Sequence, residues 1–189
     1  YRGSLALGAS HLCGISAQRN LVCCGANHEG QSLPSNRDLS FLEEGEATDV
    51  SGIAILAAGN KHTCVLRQSR AAHEGDVICS GSNTVGQLGT ELVEQDRLSP
   101  VQTVRGQVLT GAAKIAAGQN TTCIVHKSGA VYCWGDPEEA IVSSRYGTKS
   151  AQEIPGISNA RAIAVGGRHA CAIAGEEVLC WGDKSCGQL

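Results

Sequence analysis

Ten cysteines and a recurring His-x-Cys triplet are the residues of this 189-residue chain whose types and spacing could do chemistry. The cysteines stand at 13, 23, 24, 64, 79, 123, 133, 171, 180 and 186. They fall into the pairs 13/23, 64/79, 123/133 and 171/180, with Cys24 and Cys186 left over. Three fates compete: cystines in an oxidising compartment, thiolate ligands of a metal, or reduced buried thiols. Structural zinc draws closely spaced ligands in each half-site, as in C-x-x-C, and no C-x-x-C occurs. His11/Cys13, His62/Cys64 and His169/Cys171 offer imidazole beside thiol, but Thr121 breaks the series before Cys123. An even, regularly spaced set favours a disulfide framework: Cys13–Cys23, Cys64–Cys79, Cys123–Cys133 and Cys171–Cys180. Each closed loop is worth roughly 3 kcal/mol in the chain-entropy model. Cys24 and Cys186 are then expected to be unpaired or bonded outside this chain.

A catalytic thiol needs an electropositive, accessible setting or a partner base. Cys24 and Cys186 are the only candidates, structural or intermolecular pairing suits both better, and no paired carboxylates or nucleophile–base constellation stands out. No catalytic residue, no cofactor and no metal site is therefore expected. The formal charge of −3 disfavours a basic nucleic-acid face, since phosphate binding needs clustered positive charge. No apolar run approaches a membrane span, and no basic-then-apolar leader opens the chain. Methionine is absent, which suggests a processed product or a piece of something longer. With one Phe and 3% aromatics, the core must come from Val, Ile, Leu, Ala and Cys, and 24 glycines announce many turns.

The elements that must position the cysteines emerge from an internal repeat. The first cysteine of each pair recurs after 51, 59 and 48 residues, the second after 56, 54 and 47. LALGASHLCGI, LAAGNKHTCVL, IAAGQNTTCIV and AVGGRHACAI surround the first; LVCCGANHEGQSL, VICSGSNTVGQLG, VYCWGDPEEA and VLCWGDKSCGQL surround the second. These short apolar runs, rich in β-formers and bounded by glycine, predict strands. Lys127–Ala130 (KSGA) reads as a tight turn, so each unit is a small antiparallel sheet whose central hairpin carries a cysteine on either arm. A period near fifty residues with several strands per unit predicts an all-β propeller of about four blades. The blades are placed at about 1–50, 51–106, 107–159 and 160–189, the last cut short. One blade cannot bury both faces of its sheet, so blades must stack, and bare ends should expose apolar faces. Ala57-Ala58-Gly59, Ala116-Ala117-Gly118 and Ala164-Val165-Gly166 suit a crowded innermost strand.

These motifs resemble the regulator of chromosome condensation repeat, A-x-G-x-x-H-T-C-x-L … V-x-C-W-G-x-N-x-x-G-Q-L-G. The likeness is strongest at Ala58–Leu66 with Val77–Gly89, and at Ala164–Ala172 with Val178–Leu189. The third copy keeps Val131–Gly135 but loses the G-Q-L-G end; the first carries Cys24 at the tryptophan position and Ser32 within Gly30-Gln31-Leu33. The resemblance implies part of a ring of seven blades, with about three more supplied by a parent chain or a partner. The paired cysteines are similar to the secreted and cell-surface branch, including crinkly-type plant receptor ectodomains. That implies a non-catalytic structural or protein-binding module, extracellular or cell-surface, with protein partners or the remaining blades as its contacts. Two other implications stand beside it: guanine-nucleotide exchange on a small GTPase inside the cell, and a secreted enzyme inhibitor.

The remaining motifs read more simply. The histidines three residues after Gly8, Gly59 and Gly166 are expected to bond the neighbouring turn, and Trp134 and Trp181 to pack between blades. Gly81–Leu88 is no phosphate loop, because it lacks Lys-Ser/Thr and opens no helix. Asn120-Thr121-Thr122 satisfies the N-glycosylation pattern. The segments that depart from the repeat, at 36–49, 67–76, 91–100 and 136–150, are the candidates for partner contact, as loops on a rigid repeat scaffold commonly are.

Overall fold

In the computed structural model, residues 5–16, 21–32, 52–67, 75–91, 98–139, 141–142 and 149–189 are described. They form four antiparallel sheets in chain order. The first contains β1 (Leu5–Leu7), β2 (His11–Ile15) and β3 (Leu21–Gly25). The second contains β4 (Ile53–Ala58), β5 (His62–Arg67), β6 (Asp76–Gly81) and the two-residue β7 (Ser99–Pro100). The third repeats that order with β8 (Ala112–Ala117), β9 (Thr121–His126), β10 (Val131–Gly135) and β11 (Gln152–Glu153). The fourth has β12 (Ala160–Val165), β13 (His169–Ala174) and β14 (Glu177–Gly182). Among the described residues the only helical piece is one 3-10 turn, Pro137–Glu139.

Each sheet is a meander. Between β9 and β10 the KSGA turn closes with Gly129 N–H donating to His126 O at 2.8 Å, and Gly129 takes φ +84°, open to glycine at little cost. The β1–β2, β4–β5, β8–β9 and β12–β13 corners are fixed by one repeated bond. Gly8, Gly59, Gly118 and Gly166 donate to the carbonyls of His11, His62, Thr121 and His169 at 2.8–2.9 Å. β4, β8 and β12 carry a register shift at the same place, between Ile53 and Ile55, Ala112 and Lys114, and Ala160 and Ala162. Such bulges bend a strand and sharpen its twist.

The period-two alternation of strands gives every sheet a front and a back. In the second sheet Ala57, Cys64 and Cys79 align on the front, and Ala58, Thr63 and Ser80 on the back. Three clusters show how the faces meet. The front of sheet one (Cys13, Leu21, Cys23) packs on the back of sheet two (Leu56, Val65, Ile78). The front of sheet two (Ala57, Leu66, Val77) packs on the back of sheet three (Ile115, Ile124, Trp134). The front of sheet three (Cys123, Val125, Val131) packs on Ala170 and Ala172 of sheet four. The sheets are thus blades stacked in sequence, with neighbouring first strands (β1 with β4, β4 with β8, β8 with β12) in contact.

The first strands approach so closely that their glycines cannot carry side chains. A Cβ on Gly59 would overlap the His62 ring and lie 2.7 Å from Gly118 O; one on Gly8 would lie 2.6 Å from Gly59 O. The small residues of the inner strands follow from this crowding. Gly59→Ala should therefore destabilise the fold by about 1–3 kcal/mol as an overpacking change. Gly106→Ala, with nothing within 4 Å of its Cβ, should lose only about 1 kcal/mol through its positive φ. Urea denaturation of the two variants checks the difference.

Candidate functional site

The four cysteine pairs occupy the same rung of the four hairpins. Cys13 faces Cys23, Cys64 faces Cys79, Cys123 faces Cys133 and Cys171 faces Cys180 in the strand register. All four are joined as disulfides, with Cα atoms 4.1 Å apart. That spacing belongs to the close, non-hydrogen-bonded pairs of an antiparallel ladder. The first three are at most 3% exposed, sealed by the following blade. Cys171 is half-buried and Cys180 exposed, because the front of the fourth blade is bare.

The histidines depart from the sequence expectation. Their backbone carbonyls hold the neighbouring turn, but the side chains of His11 and His62 bond the next blade. His11 Nε2 lies 2.8 Å from Thr63 Oγ1, and His62 Nε2 lies 2.8 Å from Thr122 Oγ1. Thr63 Oγ1 also donates to Gln31 O at 2.7 Å, so its one hydroxyl proton is spoken for. It must accept from His11, which places a proton on Nε2. Burial lowers the His11 pKa, and burial followed by the nearby His11 lowers that of His62 to about 4. A neighbour repeat's hydroxyl, 52 or 60 residues away, was the residue the expectation missed. The available signal was the Thr between His and Cys in HTC and TTC.

The Gly-Gln loop braces itself where it follows a hairpin, most fully in the second blade. Asn83 Oδ1 accepts from Leu88 N at 3.0 Å, Asn83 Nδ2 donates to Thr90 O at 2.8 Å, and Gln87 Oε1 accepts from Val85 N at 3.0 Å. Asn27 and Gln31 repeat the first and third of these in blade one, through Ser32 N and Glu29 N. The loop so held presents Gln87 O to Trp134 Nε1 at 3.0 Å, and Trp134 is wholly buried between blades. Trp181 packs with the third blade's front cluster, but its Nε1 has no partner. The third blade lacks the G-Q-L-G end that would offer a carbonyl.

In that blade the 3-10 turn substitutes another contact. Glu139, 5% exposed, accepts from Thr121 Oγ1 at 2.7 Å and from Asn120 N at 3.1 Å. Burial raises its pKa, while those hydrogen bonds oppose the rise. Its role had no counterpart in the sequence reading.

Cys24 is a free, half-buried thiol on the back of the first blade, aligned with the tryptophan position. Cys186 is free and exposed, with Ser185 Oγ 3.7 Å from its sulfur. Asn120 is half-buried at the β8–β9 corner, where its carbonyl accepts from Asp136 N at 3.2 Å. Of the divergent segments, 36–49, 68–74, 92–97, 140 and 143–148 lie outside the described residues. Among the described residues no three of His, Cys, Asp and Glu gather as metal ligands, and no helix is long and apolar enough to cross a membrane.

Thr122→Val should cost about 1–3 kcal/mol by leaving buried His62 Nε2 without its partner. A histidine whose pKa is lower folded than unfolded supports the fold fully above about pH 6.5, and that support is lost as pH falls towards about 4. Stability measured by urea titration should decline over this window by on the order of 3 kcal/mol from His62 alone. His62→Gln should flatten the decline.

Comparison with known proteins follows the same geometry. The model for the Regulator of chromosome condensation (RCC1) repeat matches residues 4–31 and 112–139, the first and third copies. The chain is 26% identical over 200 residues to the secretion-regulating guanine nucleotide exchange factor of Bos taurus, covering 96% of this chain and 40% of that protein. The structure of Prp20p from Saccharomyces cerevisiae, described with its binding to Gsp1p and histones, superposes with a TM-score of 0.69 at 19% identity over 94% of this chain and 44% of that one. The ectodomain of the receptor kinase CR4 from Physcomitrella patens gives 0.57 at 25% identity, covering 93% of this chain and 39% of that one. The chain thus spans less than half the length of each of these three proteins. Two of its four copies match the regulator of chromosome condensation repeat, and the chain folds as part of a β-propeller whose blades are stapled by disulfides.

Proposed function

We propose that this chain is a segment of a disulfide-stapled propeller that serves outside the cell or at its surface as a protein-interaction module without catalysis. The observation that carries this reading is the set of four cystines, one on the same rung of each blade. Such bridges persist in oxidising compartments, and small sheets with thin cores gain most from them. The likeness to a receptor ectodomain supports it. In this reading the blades form a rigid frame and the divergent segments at 36–49, 67–76, 91–100 and 136–150 carry partner contact. Asn120 is a glycan acceptor in the same compartment, and Cys24 and Cys186 bond outside the chain or remain free.

A second reading has its own support. The bovine relative named as an exchange factor aligns along nearly the whole chain. A propeller acting inside the cell on a small GTPase would hold the eight paired cysteines as thiols.

Peptide mapping without reduction, on protein from its native source, separates the two. Linked peptides at all four pairs, with no acceleration of nucleotide release from small GTPases, are the expected result. Free thiols at those eight positions together with accelerated release would reverse the assignment. Alanine substitutions across the four divergent segments should weaken capture of the partner at least tenfold while leaving the cystines intact.

A further inference from the structure

Every seam inside the chain joins the front of one blade to the back of the next, and at the histidine place the facing residues are matched seam by seam. At the tryptophan place, by contrast, Ser80 Oγ and Trp181 Nε1 lack partners. At the first seam His11 meets Thr63, whose hydroxyl also reaches Gln31 O. At the second His62 meets Thr122, and Gln87 O receives Trp134. At the third both members have changed together: Thr121 stands in for the histidine, and Ala170 for the threonine. A front-face histidine is thus met by a hydroxyl, and a front face without one by an apolar residue.

The two unmatched faces of the chain carry opposite halves of this pattern. Blade four's front keeps His169 on the same register as Cys171, Ile173, Val178 and Cys180, with Val178 65% exposed. It also keeps the Gly187-Gln188-Leu189 loop, braced by Gln188 Oε1 accepting from Cys186 N at 2.9 Å, as Gln87 braces its own. Blade one's back aligns Leu7, Leu12 and Cys24, where blade three has Ala117, Thr122 and Trp134. Leu5, Leu7 and Leu12 are 65%, 70% and 37% exposed there.

We propose that the bare face of blade four receives a further blade of this repeat, one with a hydroxyl residue at the Thr63/Thr122 place and a tryptophan at the Trp134 place, and refuses the back of blade one in this or a second copy. Against Leu12 and Cys24, the His169 ring nitrogen and the Gln188 carbonyl would be covered without partners, the costly outcome for buried polar groups. Discrimination comes from that mismatch as much as from the correct match. Blade one's back, by the same rule, takes a front face that lacks the histidine. The inference rests on reading the chain as a propeller segment and adds which blades fit its ends.

Sedimentation equilibrium of the full chain tests it, with native protein, Leu12→Thr, and Leu12→Thr combined with Cys24→Trp, each with and without His169→Ala. The native chain should not join head to tail. The double variant should self-associate about tenfold more tightly or better, from two restored hydrogen bonds, and His169→Ala should reverse the gain. Leu12→Thr alone, a change at an exposed position, should give part of the gain and keeps the test decisive if the tryptophan variant does not fold. Native copies that associate as tightly as the variants, native copies linked through Cys24 and Cys186, or folded variants that gain nothing would each overturn the matching rule. Loss of the propeller reading itself would look different: a helical circular dichroism spectrum in place of a β-sheet one.

Discussion

A sheet of three or four short strands has two apolar faces and no interior, so the burial of one blade's face by the next is the constraint on which everything else here depends. The seams supply the core: Leu66 and Val77 are buried because Ile115 and Trp134 lie against them. Apolar contact alone would let one sheet slide on another, since it is non-directional. The His–Thr bond, the tryptophan–carbonyl bond and the interlocking glycines fix where each sheet sits. They act in a dry seam, where an unmet polar group is expensive and a met one is directional.

The cystines solve a different problem. Their covalent bonds join two strands of the same sheet and do not link blade to blade, although the buried sulfurs pack in the seams. What they provide is a hairpin already in register, because the sulfurs can meet only if Cys64 stands opposite Cys79 and not one residue away, where the side chain would point to the other face. A blade so pinned presents a fixed face for its neighbour to cover.

Much of this was legible in the sequence because the signals are local and repeated. Cysteine pairs at a constant phase, apolar runs bounded by glycine, and KSGA between two strands each concern residues close along the chain. The blade-to-blade bonds were not, since their partners lie 52 and 60 residues apart and no single repeat contains both. The histidine was assigned to its own turn for that reason, although only its backbone serves the turn. Glu139 was hidden by a different cause. It is ordinary in composition, and its burial follows only once the third repeat has lost its Gly-Gln loop and a 3-10 turn has filled the space. Trp181 carries the other half of that loss, an indole N–H without a partner.

The uneven covering of the four sulfur bridges gives the chain a chemical polarity from one end to the other. Three are shut inside dry seams, and the fourth sits where small reductants or other thiols can reach it. Whatever docks on that end also shields the last bridge from exchange, so assembly and chemical durability would arrive together.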